Sequence, residues 1–229
     1  MLPPFNFFDP ALDFMAAARQ LATNYVGAIR QAGVPRVVQL SSVGADLAAG
    51  SGALLFHHLA EAIFGELPAA IALTHLRPVG FYNNLYQHLA SIKSRGVMAG
   101  NYGGADQAVW VSPRDIAAAV AEELTTPAAG RRVRYVASDE LTCHEVARIL
   151  GEAVGQPQLQ WLLVSDQEML SGLAQFNVPE PAAKALVEMN AGIHRGLVDA
   201  DYYRHRPAVL GTVKMADFAQ EFAAAYHQS

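Results

Sequence analysis

Apolar positions along the chain switch between two periods, and the switches mark its elements. Phe14, Ala18, Leu21, Tyr25, Val26 and Ile29 recur at helical spacing after Asp9-Pro10, an N-cap followed by proline at the first helical position, and Gly33 ends the run. Beyond the Gly33-Val34-Pro35 break, residues 37–40 are apolar except for Gln39, the pattern of a strand covered on both faces by helices. A looser stretch over 43–52 precedes a helix around 53–66 and a second strand over 70–76. Strand, helix and strand at this spacing predict a βαβ unit, with 37–40 and 70–76 as parallel neighbours whose carboxyl ends face one cleft.

Further on, Ser112-Pro113-Arg114-Asp115 combines an N-cap serine, proline at the first helical position and an acidic first turn, and predicts a helix to about Leu124. Residues 131–136 read as a strand. Thr142-Cys143-His144-Glu145 is a capping box opening a helix that ends at Gly155, and Ser165-Asp166-Gln167-Glu168 repeats the signature. From about Leu141 onward the pattern is mostly helical, through 181–194 and 215–226, with no internal repeat and no low-complexity tract.

The length of 229 residues suits one large domain, or one with a small appendage. Only 16% of residues are charged, against a usual share of about 25%, which points to apolar surface covered by a protein partner or a second subunit. The net charge of -5 and the scattered basic residues leave nothing to neutralise a phosphate backbone, so direct nucleic-acid binding is not expected. Cys143 is the single cysteine, which rules out a disulfide within the chain and a multi-thiolate metal site, and fits a reducing cytoplasm. No basic stretch leads into an apolar signal core, and no apolar run approaches the roughly 20 residues that cross a bilayer. A soluble cytoplasmic protein without membrane contact is expected. His75, His88, His144, His194, His205 and His227 show no ligand spacing, so no metal is predicted.

Two segments carry a family resemblance. Val37-Val38-Gln39-Leu40-Ser41-Ser42-Val43-Gly44-Ala45 and Leu76-Arg77-Pro78-Val79-Gly80-Phe81-Tyr82-Asn83-Asn84 resemble the middle of an NmrA-like atypical short-chain dehydrogenase. The resemblance implies an α/β fold with a Rossmann-like parallel sheet, NAD or NADP as cofactor, and a mostly helical C-terminal lobe for a small-molecule substrate. Residues 1–140 are then the remainder of the Rossmann-like domain, and 141–229 the substrate lobe. Met1 to Pro4 resembles the tail of the family's fourth strand, so the fold is expected to be N-terminally truncated, without the strands and glycine-rich turn that hold the pyrophosphate. No GxGxxG or GxxGxxG occurs, and Gly100, Gly103 and Gly104 come too late to serve. Two missing βα units of roughly 30 residues each leave one sheet edge uncovered. The chain is then a fragment of a longer product or has a partner for that edge, and by itself is expected to bind NAD(P)H weakly or not at all.

For the site, the resemblance implies cofactor contacts from Pro3, Pro4, Ser41, Ser42, Val43 and His58, and from Pro78, Val79, Gly80 and Phe81 toward the nicotinamide carboxamide. The residues themselves also allow Ser41 to Ala45 to be only a turn that satisfies backbone groups. Asn84 is expected to cap or anchor the next helix, and Asp115 to tie the two lobes together. Reductases of the broad superfamily place a tyrosine, and four residues on a lysine, in the helix after the serine. Residues 52–66 contain neither, and Phe56-His57-His58-Leu59-Ala60-Glu61 stands there instead. His57 and Glu61 share a helix face, so the carboxylate raises the imidazole pKa and makes His57 the candidate proton donor, or the pair merely steadies the helix. The segment's length leaves open whether His57 or His58 faces the pocket. Trp110, Tyr102, Phe81 and Tyr82 wall a planar substrate or belong to the core, and Cys143 reads as packing. Two functions follow: an NAD(P)H-dependent oxidoreductase acting on a small acceptor such as a quinone or azo compound, or a non-catalytic redox-sensing regulator that binds the dinucleotide and signals to a protein partner.

Overall fold

Asp13, rather than Asp9, caps the first helix. Its carboxylate accepts the Ala16 N–H at 2.9 Å, opening α1 (Phe14–Ala32), whereas Asp9 is spent on a local turn to the Ala11 N–H at 2.9 Å. Gly33, at φ 61°, closes α1 by donating its N–H to the Ile29 and Arg30 carbonyls. The computed structural model describes residues 9, 11–127 and 129–228.

The chain continues through β1 (Arg36–Leu40), a single 3-10 turn at Gly52–Leu54, α2 (Leu55–Phe64) and β2 (Ala72–Pro78). After β3 (Gly80–Phe81), a 3-10 stretch at Tyr82–His88 leads to α3 (Leu89–Arg95), β4 (Val97–Gly100), β5 (Gln107–Val111) and α4 (Pro113–Thr125). The remaining elements are β6 (Arg131–Val136), β7 (Asp139–Thr142), α5 (Cys143–Ala153), β8 (Gln160–Leu163), α6 (Asp166–Gln175), α7 (Glu180–His194), α8 (Ala200–Arg204) and α9 (Met215–Gln228).

β1, β2 and β6 form a parallel sheet in that order, with Arg36 opposite Ala72 and Leu40 opposite Leu76. Alternation along the strands sends Val37 and Leu73 into a cluster with Ala22 and Val26 of α1 and Ala60 and Phe64 of α2. Leu76 turns to the other face and packs with Ile116 and Ala119 of α4. Helices therefore cover both faces, as the unbroken apolar runs of β1 and β2 require. Among the described residues β1 has a strand partner on one side only.

Where the chain leaves β2 it starts a second sheet, β3-β5-β7, whose β3 and β5 are parallel and β5 and β7 antiparallel. Gly80 is needed at this divergence because a Cβ there would sit 3.1 Å from the Val109 carbonyl, with Trp110 just beyond. The stretch expected to be helical from Leu141 onward is broken by β8, which pairs in parallel with β4 and buries Trp161 completely. Residues 82–110 share one apolar core with residues from beyond 141: Tyr82, Leu85, Ile92 and Met98 pack with Cys143, Leu150, Phe218 and Phe222.

Asp115 links the two regions. Its carboxylate accepts from the Ser138 hydroxyl at 2.6 Å and from the Thr212 and Val213 N–H groups at 3.1 Å. Burial alone would raise this carboxyl, but those hydrogen bonds outweigh it and hold it below the usual value. Both capping boxes form, at Thr142–Glu145 and Ser165–Glu168. Asn84 does not cap the next helix, since α3 begins after His88 without a side-chain cap hydrogen bond. Among the described residues no helix is long and apolar enough to cross a membrane, and no three or more His, Cys, Asp or Glu are grouped so as to hold a metal.

Candidate active site

β1 and β2 end on the same side, and the loops that leave them are fastened together: Val43 donates its N–H to the Pro78 carbonyl at 2.9 Å. Between these loops and the C-terminal lobe lies a cleft of about 1210 Å³. It occupies the carboxyl edge of the parallel sheet at the point where β3 departs, the usual ligand position in open α/β sheets. Ser41, Ser42, Val43, His57, Val79, Gly80 and Phe81 line it, as do Tyr102 and Trp110. Tyr82 does not; it is fully buried, with its hydroxyl donating to Asp139 at 2.7 Å. Pro78 and His58 are also outside the cleft wall, because Pro78 still belongs to the sheet and the His58 Nδ1–H donates to the Ala45 carbonyl at 2.9 Å. Pro3 and Pro4 lie outside the described residues.

The i,i+4 partnership expected between His57 and Glu61 is replaced by another. Arg77, projecting from β2, grips both Glu61 oxygens, Nη2 to Oε2 at 2.7 Å and Nε to Oε1 at 2.9 Å. The Ser41 hydroxyl donates to the same Oε1 at 2.5 Å, so Ser41, although in the cleft wall, directs its hydrogen bond to α2. Arg77 also donates to the Tyr135 hydroxyl at 3.0 Å, and that hydroxyl donates in turn to Asp201 at 2.6 Å. Burial would raise the Glu61 carboxyl, but the hydrogen bonds from Arg77 and Ser41 and the guanidinium charge outweigh it and keep it ionised below its usual value. His57 is left without that counter-charge at contact. Burial pushes its imidazole down to about 3, with Glu61 offsetting only part, so His57 faces the cleft as a neutral ring and not as the acid expected from its spacing.

Several polar groups in the wall were not singled out from the sequence. His88 is buried with Nε2 unpartnered, and burial lowers its imidazole to about 4. Trp110, expected from the sequence to wall a substrate or the core, also has its Nε1 buried without a partner. Asp199, next to Val198 at the start of α8, contributes a carboxyl. His88 and Asp199 carry no distinctive spacing, and their burial is decided by the fold, for His88 in part by Trp161 of β8, so the sequence holds no signal for them. Cys143 is fully buried, and burial pushes its thiol up to about 12, which leaves it an unreactive packing group.

The donor set suits one part of a dinucleotide better than another. Among the described residues no hydrogen bond engages the Ser42 hydroxyl, which lines the cleft together with Val79, Gly80 and Phe81. Arg95 is the one lysine or arginine among the described cleft residues.

No family model matches the chain. It is 27% identical over 217 residues to an NAD(P)H azoreductase of Xenophilus azovorans, covering 90% of this chain and 72% of that protein. The crystal structure of an NADPH-dependent quinone oxidoreductase from Escherichia coli in complex with NADPH superposes with a TM-score of 0.72 at 19% identity, over 96% of this chain and 82% of that one. Triphenylmethane reductase from Citrobacter sp., complexed with NADP(H), gives a TM-score of 0.70 at 25% identity, over 93% and 74%. The architecture described above is thus the Rossmann-like α/β fold that these reductases share.

Proposed function

We propose that the chain is part of an NAD(P)H-dependent oxidoreductase that reduces a small, flat acceptor such as a quinone or azo compound, within the NmrA-like branch of the atypical short-chain dehydrogenases. The observation that carries this reading is the large, mostly apolar cleft at the carboxyl ends of β1 and β2, walled by Phe81, Tyr102 and Trp110. Its likeness to azo-, quinone- and dye-reducing proteins supports the same reading.

A bound reduced nicotinamide supplies a hydride, which an oriented acceptor takes up without covalent help from the protein. The chain's part is to position and exclude. Ser42 offers a hydroxyl to a ribose, and the Val79 to Phe81 backbone offers an edge to a carboxamide. The aromatic rings give a planar acceptor faces to stack on. The Arg77–Glu61–Ser41 network fixes α2 against β1 and β2, and so fixes the ring of His57 in the wall as a neutral hydrogen-bonding group.

A second reading, a dinucleotide-binding redox sensor that signals to a protein partner or a second copy of itself, draws on the lack of tyrosine and lysine over 52–66. Anaerobic incubation with NADPH or NADH and either 2-methyl-1,4-naphthoquinone or an azo dye separates the two. Stoichiometric oxidation of the nicotinamide with loss of the acceptor's colour supports the reductase. Saturable dinucleotide binding with no acceptor reduced supports the sensor.

A further inference from the structure

Asp199 is only 6% exposed, and that remnant belongs to the cleft. It precedes α8, yet its side chain makes no cap hydrogen bond, and no ion pair or hydrogen bond engages its carboxyl among the described residues, its oxygens keeping access to the cleft. Native proteins seldom leave a buried carboxyl unpartnered, because its desolvation is then uncompensated. Its position is fixed from both sides. The preceding residue, Val198, packs on the exit turn of β1, where Gly44 has φ 75° and a Cβ added to it would lie 3.2 Å from Val198 Cγ1. Tyr102 lines the same cleft, and burial, with smaller contributions from Cys143 and Asp199, raises its phenol, as burial and then Asp199 raise that of Tyr203 on α8. Asp199 thus stands where the turn that leaves β1 meets the aromatic wall.

We infer that Asp199 is the proton donor to the acceptor bound in this cleft, an assignment that rests on the reductase reading above. Reduction of a carbonyl or azo double bond adds a hydride, supplied by the reduced nicotinamide, at one end and a proton at the other. Asp199 gives its carboxyl proton to the oxygen or nitrogen, becomes a carboxylate, and regains a proton from solvent through the open cleft.

The other groups in or near the wall do not suit this task. The imidazoles of His57 and His88 hold no extra proton above about 3 and 4 respectively. Burial carries the Tyr102 phenol far above the neutral range, and Glu168 is locked into the capping box with Ser165. Burial alone raises the Asp199 carboxyl to about 6, so near-neutral solutions contain the acid form a donor needs. The titratable groups coupled to it are phenols that stay uncharged in that range, Tyr203 being pushed up to about 12. Asp201 on the same helix is engaged by Tyr135, Arg77 and Arg204.

The test uses Asp199→Asn and Asp199→Glu beside the unsubstituted protein, with folding checked by circular dichroism. Binding of 2-methyl-1,4-naphthoquinone without any nicotinamide is first measured by calorimetry between about pH 5 and pH 8. Affinity should fall about tenfold as pH rises through the ionisation of Asp199, keep that dependence in Asp199→Glu, and lose it in Asp199→Asn. Turnover with NADPH should then drop about 100-fold in Asp199→Asn with the KM for NADPH unchanged, and recover in part in Asp199→Glu. Quinone affinity independent of pH in the unsubstituted protein, or equally pH-dependent in Asp199→Asn, overturns the assignment. So does unchanged turnover in Asp199→Asn. If the unsubstituted protein reduces no acceptor, the reductase reading fails and proton donation fails with it, whatever the binding profile.

Discussion

Arg77 holds Glu61 at two points, 2.7 and 2.9 Å, and in doing so ties the only long side-chain carboxylate of α2 to the neighbouring strand. Both side chains are largely shielded from solvent, at 8% and 11% exposure. The fork also reaches Tyr135 and Asp201, so four elements, α2, β2, β6 and α8, share one guanidinium.

Removing that guanidinium should therefore be costly. Arg77→Ala leaves Glu61 buried without a counter-charge, while Asp201 keeps Arg204, and should cost about 3–5 kcal/mol in urea unfolding. Arg77→Lys should recover only part of the loss, because an ammonium cannot match the two carboxylate oxygens in parallel. A loss below about 1 kcal/mol for Arg77→Ala would mean that the network adds little to stability.

Stability should fall as solutions become acidic, and His88 should be one cause. An unfolded imidazole takes a proton below 6.5, but buried His88 resists until about 4, so within that window the unfolded state binds more protons and folding weakens as pH drops. The full shift corresponds to at most about 3 kcal/mol. His57, lowered to about 3, acts in the same direction. Asp199 acts in the opposite one, since its folded carboxyl takes a proton near 6 and its unfolded one near 3.8. Melting temperatures measured from neutral to acidic pH should decline, and His88→Phe should flatten the curve; an equally steep curve in His88→Phe would assign the decline to other groups.

With Arg95 the one lysine or arginine of the described cleft, the nucleotide's phosphate-rich half should contribute little to binding by this chain. Titrations with NADPH and with reduced nicotinamide mononucleotide should agree within about tenfold, an affinity difference of about 1.4 kcal/mol. Micromolar NADPH affinity with no detectable mononucleotide binding would reveal a phosphate site elsewhere in the protein.

His57→Gln probes the neutral ring in the wall. Because the imidazole already lacks a second proton at working pH, the substitution should change turnover by less than about tenfold and leave the shape of the pH profile intact. A pH limb near neutrality that vanishes in His57→Gln would restore the imidazolium as the acid.

The sequence by itself determined the elements whose signals are local. The Ser112-Pro113 start of α4, the two capping boxes and the Gly33 stop are each decided by hydrogen bonds within a few residues, and all appear where their residue types demand them. It determined the parallel pairing of β1 with β2 as well, because apolar runs separated by one helix leave a single economical crossover. It also located the loops around Ser42 and Val79 to Phe81 that line the cleft. Tertiary structure alone decided the rest. β8 is strand because β4, some sixty residues earlier in the chain, offers it a hydrogen-bonding edge and a pocket for Trp161. Glu61 belongs to Arg77 because β2 lies against α2 and presents a fork that His57 cannot match. Asp199 lost its solvent because residues distant in sequence close around it. The proton affinity of a side chain follows from the charges and apolar groups that folding brings to it, and spacing along a helix records only the neighbours that share that helix.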